Sequence, residues 1–248
     1  MTMTAQTTSQ MNQRWIDGAY SAMSTAWPVA RLAGPLAALF SIQSLGAVAT
    51  LAVIGRLGEA QLAGVGAANA IFGLALALTF GVDTAVQART ARAVGASRPE
   101  ALGQVLIDGL AVSAPLGAVL AVALWAFGPW FVAALLPDPA AKAAGGAFLR
   151  AIAPSLVLYA VTIPMNALWI GSGRPGVALL VTALTAPVQV GGAATMALGL
   201  GLGAAGAGWA VVLAMACAVA LQFFLALRTR PIAGFARAEP SLAGVRAT

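Results

Sequence analysis

Histidine is absent from these 248 residues, and cysteine occurs once, at Cys217 inside an apolar run. One cysteine cannot close a disulfide within the chain, and His/Cys metal clusters have no ligands to draw on. A Ser-His-Asp relay is excluded for the same reason, and no G-x-x-x-x-G-K phosphate loop occurs. The chain therefore reads as a non-enzyme that needs no organic cofactor. Charge is also scarce. Only 8% of residues are Asp, Glu, Lys or Arg, against roughly 25% in soluble globular chains. So few charges cannot cover a water-exposed surface of this size, and most of the outside must face lipid. Thirteen basic residues against seven acidic ones give a net charge of +6. The basic residues fall at the ends of apolar stretches rather than on one patch interleaved with aromatics. That placement suits topology determinants and argues against a nucleic-acid partner.

What is abundant is apolar. Hydrophobic residues make up 60% of the chain, 28 residues are glycine, and the mean hydropathy is +0.91. Small residues suit helices that approach closely in a bilayer. A helical span needs about 20 apolar residues at 1.5 Å rise each. Charge-free stretches run over 32–55, 60–82, 109–137, 151–173 and 175–227. The first four fit one helix each, and the second continues toward Val94 because nothing in its sequence breaks it. The last is too long for one helix and is interrupted by the glycine-rich run 199–208, which disfavours helix. The expectation is an all-α integral membrane bundle of about six transmembrane helices over 28–230. A polar cytoplasmic segment over 1–27, without the pattern of a signal peptide, precedes it, and a cytoplasmic tail over 231–248 follows. The strict alternation of a membrane barrel is not visible.

Turn chemistry punctuates the spans. Gly55-Arg-Leu-Gly58 separates the first two helices, and Pro137-Asp-Pro139 ends the third. Ser97 and Glu100 have capping-box spacing, with Pro99 in the first turn of helix 3. Gly171-Ser-Gly-Arg-Pro175 ends the fourth helix. With a cytoplasmic N-terminus, ten of the 13 basic residues fall inside, among them Arg89, Arg92, Arg98, Arg174 and Arg228. Only Arg56, Lys142 and Arg150 fall outside. The positive-inside rule then puts both termini in the cytoplasm of a multi-pass cell-membrane protein.

Two acids lie in or beside the spans, Asp83 and Asp108. Intramembrane carboxylates are costly, so they face a cavity or a cation and mark ion paths, or they form salt bridges at the interface. Both fall in the cytoplasmic half, near Arg89 and Arg92. Neutral polar residues within spans include Gln43, Thr50, Asn69, Asn166, Gln189 and Gln222; each either bonds a neighbouring helix or lines a cavity. Trp125, Trp130, Trp169 and Trp209 fall near span ends, where aromatic-belt anchoring is the default. Pro35, Pro115, Pro154, Pro164 and Pro187 are positioned to kink helices or free carbonyls.

Several segments, in order, resemble the repeat unit of multidrug-and-toxin extrusion (MATE) transporters. Ala52-Val-Ile-Gly-Arg-Leu-Gly58, followed by Leu62-Ala-Gly-Val-Gly66 and Asn69, is similar to the end of the family's first helix and the start of its second. Gly81 through Ala96 is similar to the rest of the second helix, and Gly171-Ser-Gly-Arg-Pro175 to a shortened Gly-x-Gly-Asp-x-Arg loop. The stretch 199–210 is similar to the turn into the sixth helix. The resemblance covers 30–228 and implies one six-helix half of a cation-coupled exporter of amphipathic or cationic organic compounds, with H⁺ or Na⁺ as coupling ion. Thr50 stands where many members carry a coupling Asp, Ala186 and Gln189 where they carry paired Asn, and Asp108 where they often carry Gln. The residues implied for substrate or ion are Asp83, Asp108, Gln43, Thr50, Asn69 and Gln189. The partners implied are membrane lipid, a small organic substrate, and a second half supplied by another copy or a separate chain. A lipid-linked sugar flippase of the same superfamily and a non-transporting half are the alternatives.

Overall fold

The computed structural model describes residues 33–98 and 100–229. The expectations for 1–27, for 231–248 and for Pro99 lie outside them. Among the described residues all regular structure is helical. The helices are α1 (Ala33–Gly55), α2 (Glu59–Ala77), α3 (Phe80–Gly95), α4 (Ala101–Leu135), α5 (Pro139–Ile152), α6 (Ser155–Gly171), α7 (Pro175–Ala193) and α8 (Gly203–Thr229). A six-residue π-helical turn, Ala194–Gly199, extends α7. Five helical stretches are long and apolar enough to cross a membrane, and the α5–α6 pair, bent by 51°, makes a sixth when taken as one span. Phe40, Leu74, Val119, Trp130 and Leu227 are each about 60–80% exposed. Exposed apolar residues spread over several helices of one bundle require lipid, not water, on the outside.

The helix ends show why these boundaries hold, and they correct three expectations. Residues 59–95 form one apolar stretch long enough to cross the membrane, as expected, with a local break inside it. The chain turns at Leu78–Thr79, where the Thr79 amide and hydroxyl both donate to the Leu76 carbonyl, at 2.9 and 2.6 Å. A three-residue bond there tightens the ladder and sets α3 off from α2. Ser97 closes α3 rather than opening α4. Its φ of 54° is left-handed, Arg98 N–H donates to Ala93 and Ser97 N–H to Val94, which is the Schellman pattern. Glu100 is then the N-cap of α4, without a side-chain cap.

The fourth span begins at Pro139, not near Ala151. Asp138 accepts from the Ala141 amide at 2.9 Å and Pro139 occupies the first turn, so the two cap the start of α5. Pro154 then supports the bend into α6. Finally, the glycine-rich break is shorter than expected, because α8 starts at Gly203. A Cβ on Gly206 would fall 2.6 Å from the Met196 backbone, and one on Gly208 3.0 Å from the Phe148 carbonyl. These glycines are contact points between helices rather than turn residues.

The α5–α6 span runs through the middle of the bundle and packs on α2, α3, α4, α7 and α8. The α2–α5 crossing is the closest of these approaches. A Cβ on Gly145 would lie 2.6 Å from the Gly64 carbonyl. The main apolar core, with Val65, Phe72, Phe148, Leu149 and Leu156, gathers around α5. A second cluster joins Leu102 and Leu106 of α4 to Met165, Leu168 and Trp169 of α6 and Ala226 of α8. Trp169 is fully buried there and is no belt anchor, whereas Trp125, Trp130 and Trp209 are 48–67% exposed.

Candidate functional site

Proline shapes the polar interior of α6. Pro164 has no N–H to give the Ala160 carbonyl four residues back. Ser113, projecting from α4, supplies the missing donor, with its Oγ 2.6 Å from the Ala160 oxygen. Two spans are thereby tied together at a point where each alone carries an unsatisfied or costly polar group.

Between α3 and α4 lies the strongest electrostatic feature. Asp108 is fully buried, and its Oδ2 stands 2.8 Å from Arg89 Nη2. Its other oxygen accepts from Gln104 Nε2 at 2.7 Å. Gln104 lies one turn before Asp108 on the same helical face, a spacing that brings side chains together. Sequence reasoning placed Arg89 near this acid but missed Gln104, whose four-residue offset was the available signal. The Arg89 side chain keeps 22% of its surface exposed while its guanidinium meets the carboxylate.

Asp83 is placed differently. It is half-buried one turn into α3, just past the break at Leu78–Thr79, and forms no side-chain hydrogen bond or ion pair among the described residues. The two acids thus occupy distinct settings, one neutralised and one available.

The neutral candidates divide as well. Thr50 is buried and its hydroxyl donates 2.8 Å to the Gly46 carbonyl of its own helix. Gln43 and Asn69 are exposed, on α1 and α2 respectively. Asn69 lies on an open stripe of α2 with Gly66, Ala70, Gly73 and Ala77, and a Cβ on Gly66 or Gly73 would meet nothing within 4 Å. A carboxamide turned toward hydrocarbon leaves two donors and an acceptor unpaired, at several kcal/mol in an apolar medium. That face is built for water or for protein. Gln189 is half-buried on α7. Asn166 and Gln222 pair with each other across α6 and α8, Gln222 Nε2 donating at 2.9 Å.

An apolar pocket of about 430 Å³ opens elsewhere, at the π-helical turn, walled by Met196, Leu200, Leu202, Trp209 and Leu213. None of the candidate polar residues lines it. No group of three or more acids or cysteines suited to a metal ion occurs among the described residues.

The family model described as MatE matches residues 35–195. The "Probable multidrug resistance protein NorM" of Deinococcus radiodurans is 34% identical over 147 residues, which is 59% of this chain and 32% of that protein. "Protein DETOXIFICATION 4" of Arabidopsis thaliana is 26% identical over 139 residues, 56% of this chain and 29% of its own length. The matched stretches thus span about a third of these relatives. A solved structure described as the outward-facing conformation of a multidrug resistance MATE family transporter of the MOP superfamily superposes with a TM-score of 0.80 at 21% identity. It covers 89% of this chain, and this chain covers 49% of it.

Proposed function

The chain belongs to the MatE family, and from that premise we propose that its bundle is one half of a secondary efflux transporter for amphipathic or cationic organic compounds. The observation that carries the reading is the exposed carboxamides, Gln43 on α1 and Asn69 on α2, on a bundle matching 49% of a solved transporter chain. Groups of that kind are unfavourable against lipid and favourable against a water-filled cavity closed by a second bundle. In such an arrangement one bundle rocks against the other, and substrate in the cleft between them is exposed to each side in turn.

Export against a gradient requires coupling to H⁺ or Na⁺, and the coupling site assigned to this half is Asp83. Asp108 already has a guanidinium and a carboxamide on its two oxygens, so an incoming cation would compete with Arg89. Asp83 has neither. The names of the relatives support multidrug export, and the cell membrane with both termini inside fits the distribution of basic residues.

The test is reconstitution in liposomes with a fluorescent organic cation inside and an imposed Na⁺ or proton gradient. Dye should leave the lumen only when the gradient is present. Dye retention under both gradients, in a sample shown to be folded and inserted, would favour a non-transporting half.

A further inference from the structure

We propose that the seam between α6 and α8 is a binding site for an internal water molecule, held by the Trp169 indole N–H and the Gln222 carboxamide oxygen. Both side chains are fully buried. Trp169 Nε1 and Gln222 Oε1 each lack a hydrogen-bond partner among the described residues. Buried polar atoms in native folds are almost always satisfied, and an unpaired one in a bilayer is costlier still.

The two atoms belong to one neighbourhood. Gln222 spends its Nε2 on Asn166 Oδ1, and Asn166 sits one turn before Trp169 on α6, on the same helical face. Ala226, one turn beyond Gln222, packs in the cluster that holds Trp169. The two helices pack on each other, with 166 against 222. Helical side chains lean toward the N-terminus, which tilts Trp169 toward the turn where Gln222 docks.

The chemistry selects the ligand. An indole N–H only donates, and a carboxamide oxygen only accepts. A cation is repelled by the donor and an anion by the acceptor, and an apolar group leaves both unpaired. A water accepts from the first and donates to the second. Leu102, Leu106, Met165 and Leu168 share the cluster that holds Trp169, so the surroundings are apolar and favour the smallest ligand that satisfies both atoms. One water needs little more than its own sphere and two to four polar partners. Exchanging the carboxamide oxygen and nitrogen does not remove the need, because Gln222 would then present a second donor beside the indole.

The experiment is nuclear magnetic resonance of the full chain in lipid nanodiscs, with ¹⁵N-labelled tryptophan. Six indole signals are expected, and Trp169→Phe identifies the one that belongs to Trp169. Magnetisation should pass from water to that buried indole proton at short mixing times, although belt tryptophans also see water. In Gln222→Met, which keeps the volume and removes both the acceptor and the bond to Asn166, the transfer should be lost and the signal should move upfield. A Trp169 indole proton that receives nothing from water in the unaltered chain overturns the proposal. So does one whose strongest contact is Gln222 itself, because the pair would then be bonded directly. Transfer that survives unchanged in a folded Gln222→Met variant overturns the assigned acceptor. Should that variant fail to insert, the measurement on the unaltered chain still decides the water.

Discussion

Arg89 and Asp108 are a pair of unequal partners. The carboxylate is fully buried and the arginine side chain retains 22% exposure. Removing the arginine strands a charge that has no route to water, and breaking a buried pair this way costs about 3–5 kcal/mol. Removing the acid leaves a guanidinium whose flexible stem can carry it toward the interface. Arg89→Met should therefore destabilise the bundle more than Asp108→Asn, which also keeps a polar group for Gln104. Denaturation in mixed detergent micelles would measure the difference. Equal losses would count against a stranded charge as the source of the cost. Asp83 stands apart from this pair, and its replacement tests coupling. Asp83→Asn should insert and fold normally, because no partner is lost, yet abolish gradient-driven dye export from liposomes. Export at the unaltered rate would move the coupling site out of this half.

At the scale of a helix, Pro164 and Ser113 form a matched defect and repair. The proline deprives the Ala160 carbonyl of its helical donor, and Ser113 Oγ replaces it at 2.6 Å. Ser113→Ala should cost about 1–3 kcal/mol, the penalty of an unsatisfied buried acceptor. Pro164→Ala restores the N–H, so the double variant should recover part of that loss, and a double-mutant cycle by thermal denaturation reads the coupling. Additive effects would mean that the serine bond is incidental. The span boundaries that sequence did reveal were those made by local chemistry. Gly58 at φ 109° and Gly173 at φ 75° mark turns that an L side chain resists, and Pro175 opens α7 in the first turn. What stayed hidden depends on partners distant in sequence. The break at Thr79 has no proline or glycine to announce it. Trp169 looks like a belt residue until α4 and α8 are packed over it, and α5 carries Lys142 and Arg150, which made a helix read as a loop. At the candidate site, the acids and neutral amides were legible as costly residues within apolar runs. Which acid is paired and which amide is exposed was decided by helix packing.

For the whole molecule, orientation and assembly follow from where charge and polarity lie. Single-cysteine labelling, after replacing Cys217, should find positions beside Arg98 reachable only from the cytoplasm and positions beside Lys142 only from outside. Labelling of position 142 from the cytoplasmic face would reverse the arrangement. Topology is set by the sequence, so a second copy inserts in the same orientation, and two copies can be related by a two-fold axis along the membrane normal. A closed isologous pair is the commonest symmetric assembly, and it would cover Gln43, Asn69 and the open glycines of α2 on both copies at once. Alternating access requires two bundles around the substrate, so a single six-helix bundle should not transport. The expectation is that activity tracks a dimer, either of two copies or with a separately encoded half. Native mass measurement in mild detergent, beside dye export by the same preparation, checks it directly. Asn69→Leu should then weaken pairing and export together while leaving insertion unchanged, because it removes an exposed carboxamide and no hydrogen bond within the bundle. A monomer that exports dye at full rate would remove the need for a second half, and the exposed carboxamides of Gln43 and Asn69 would have to line a cavity formed by one bundle alone.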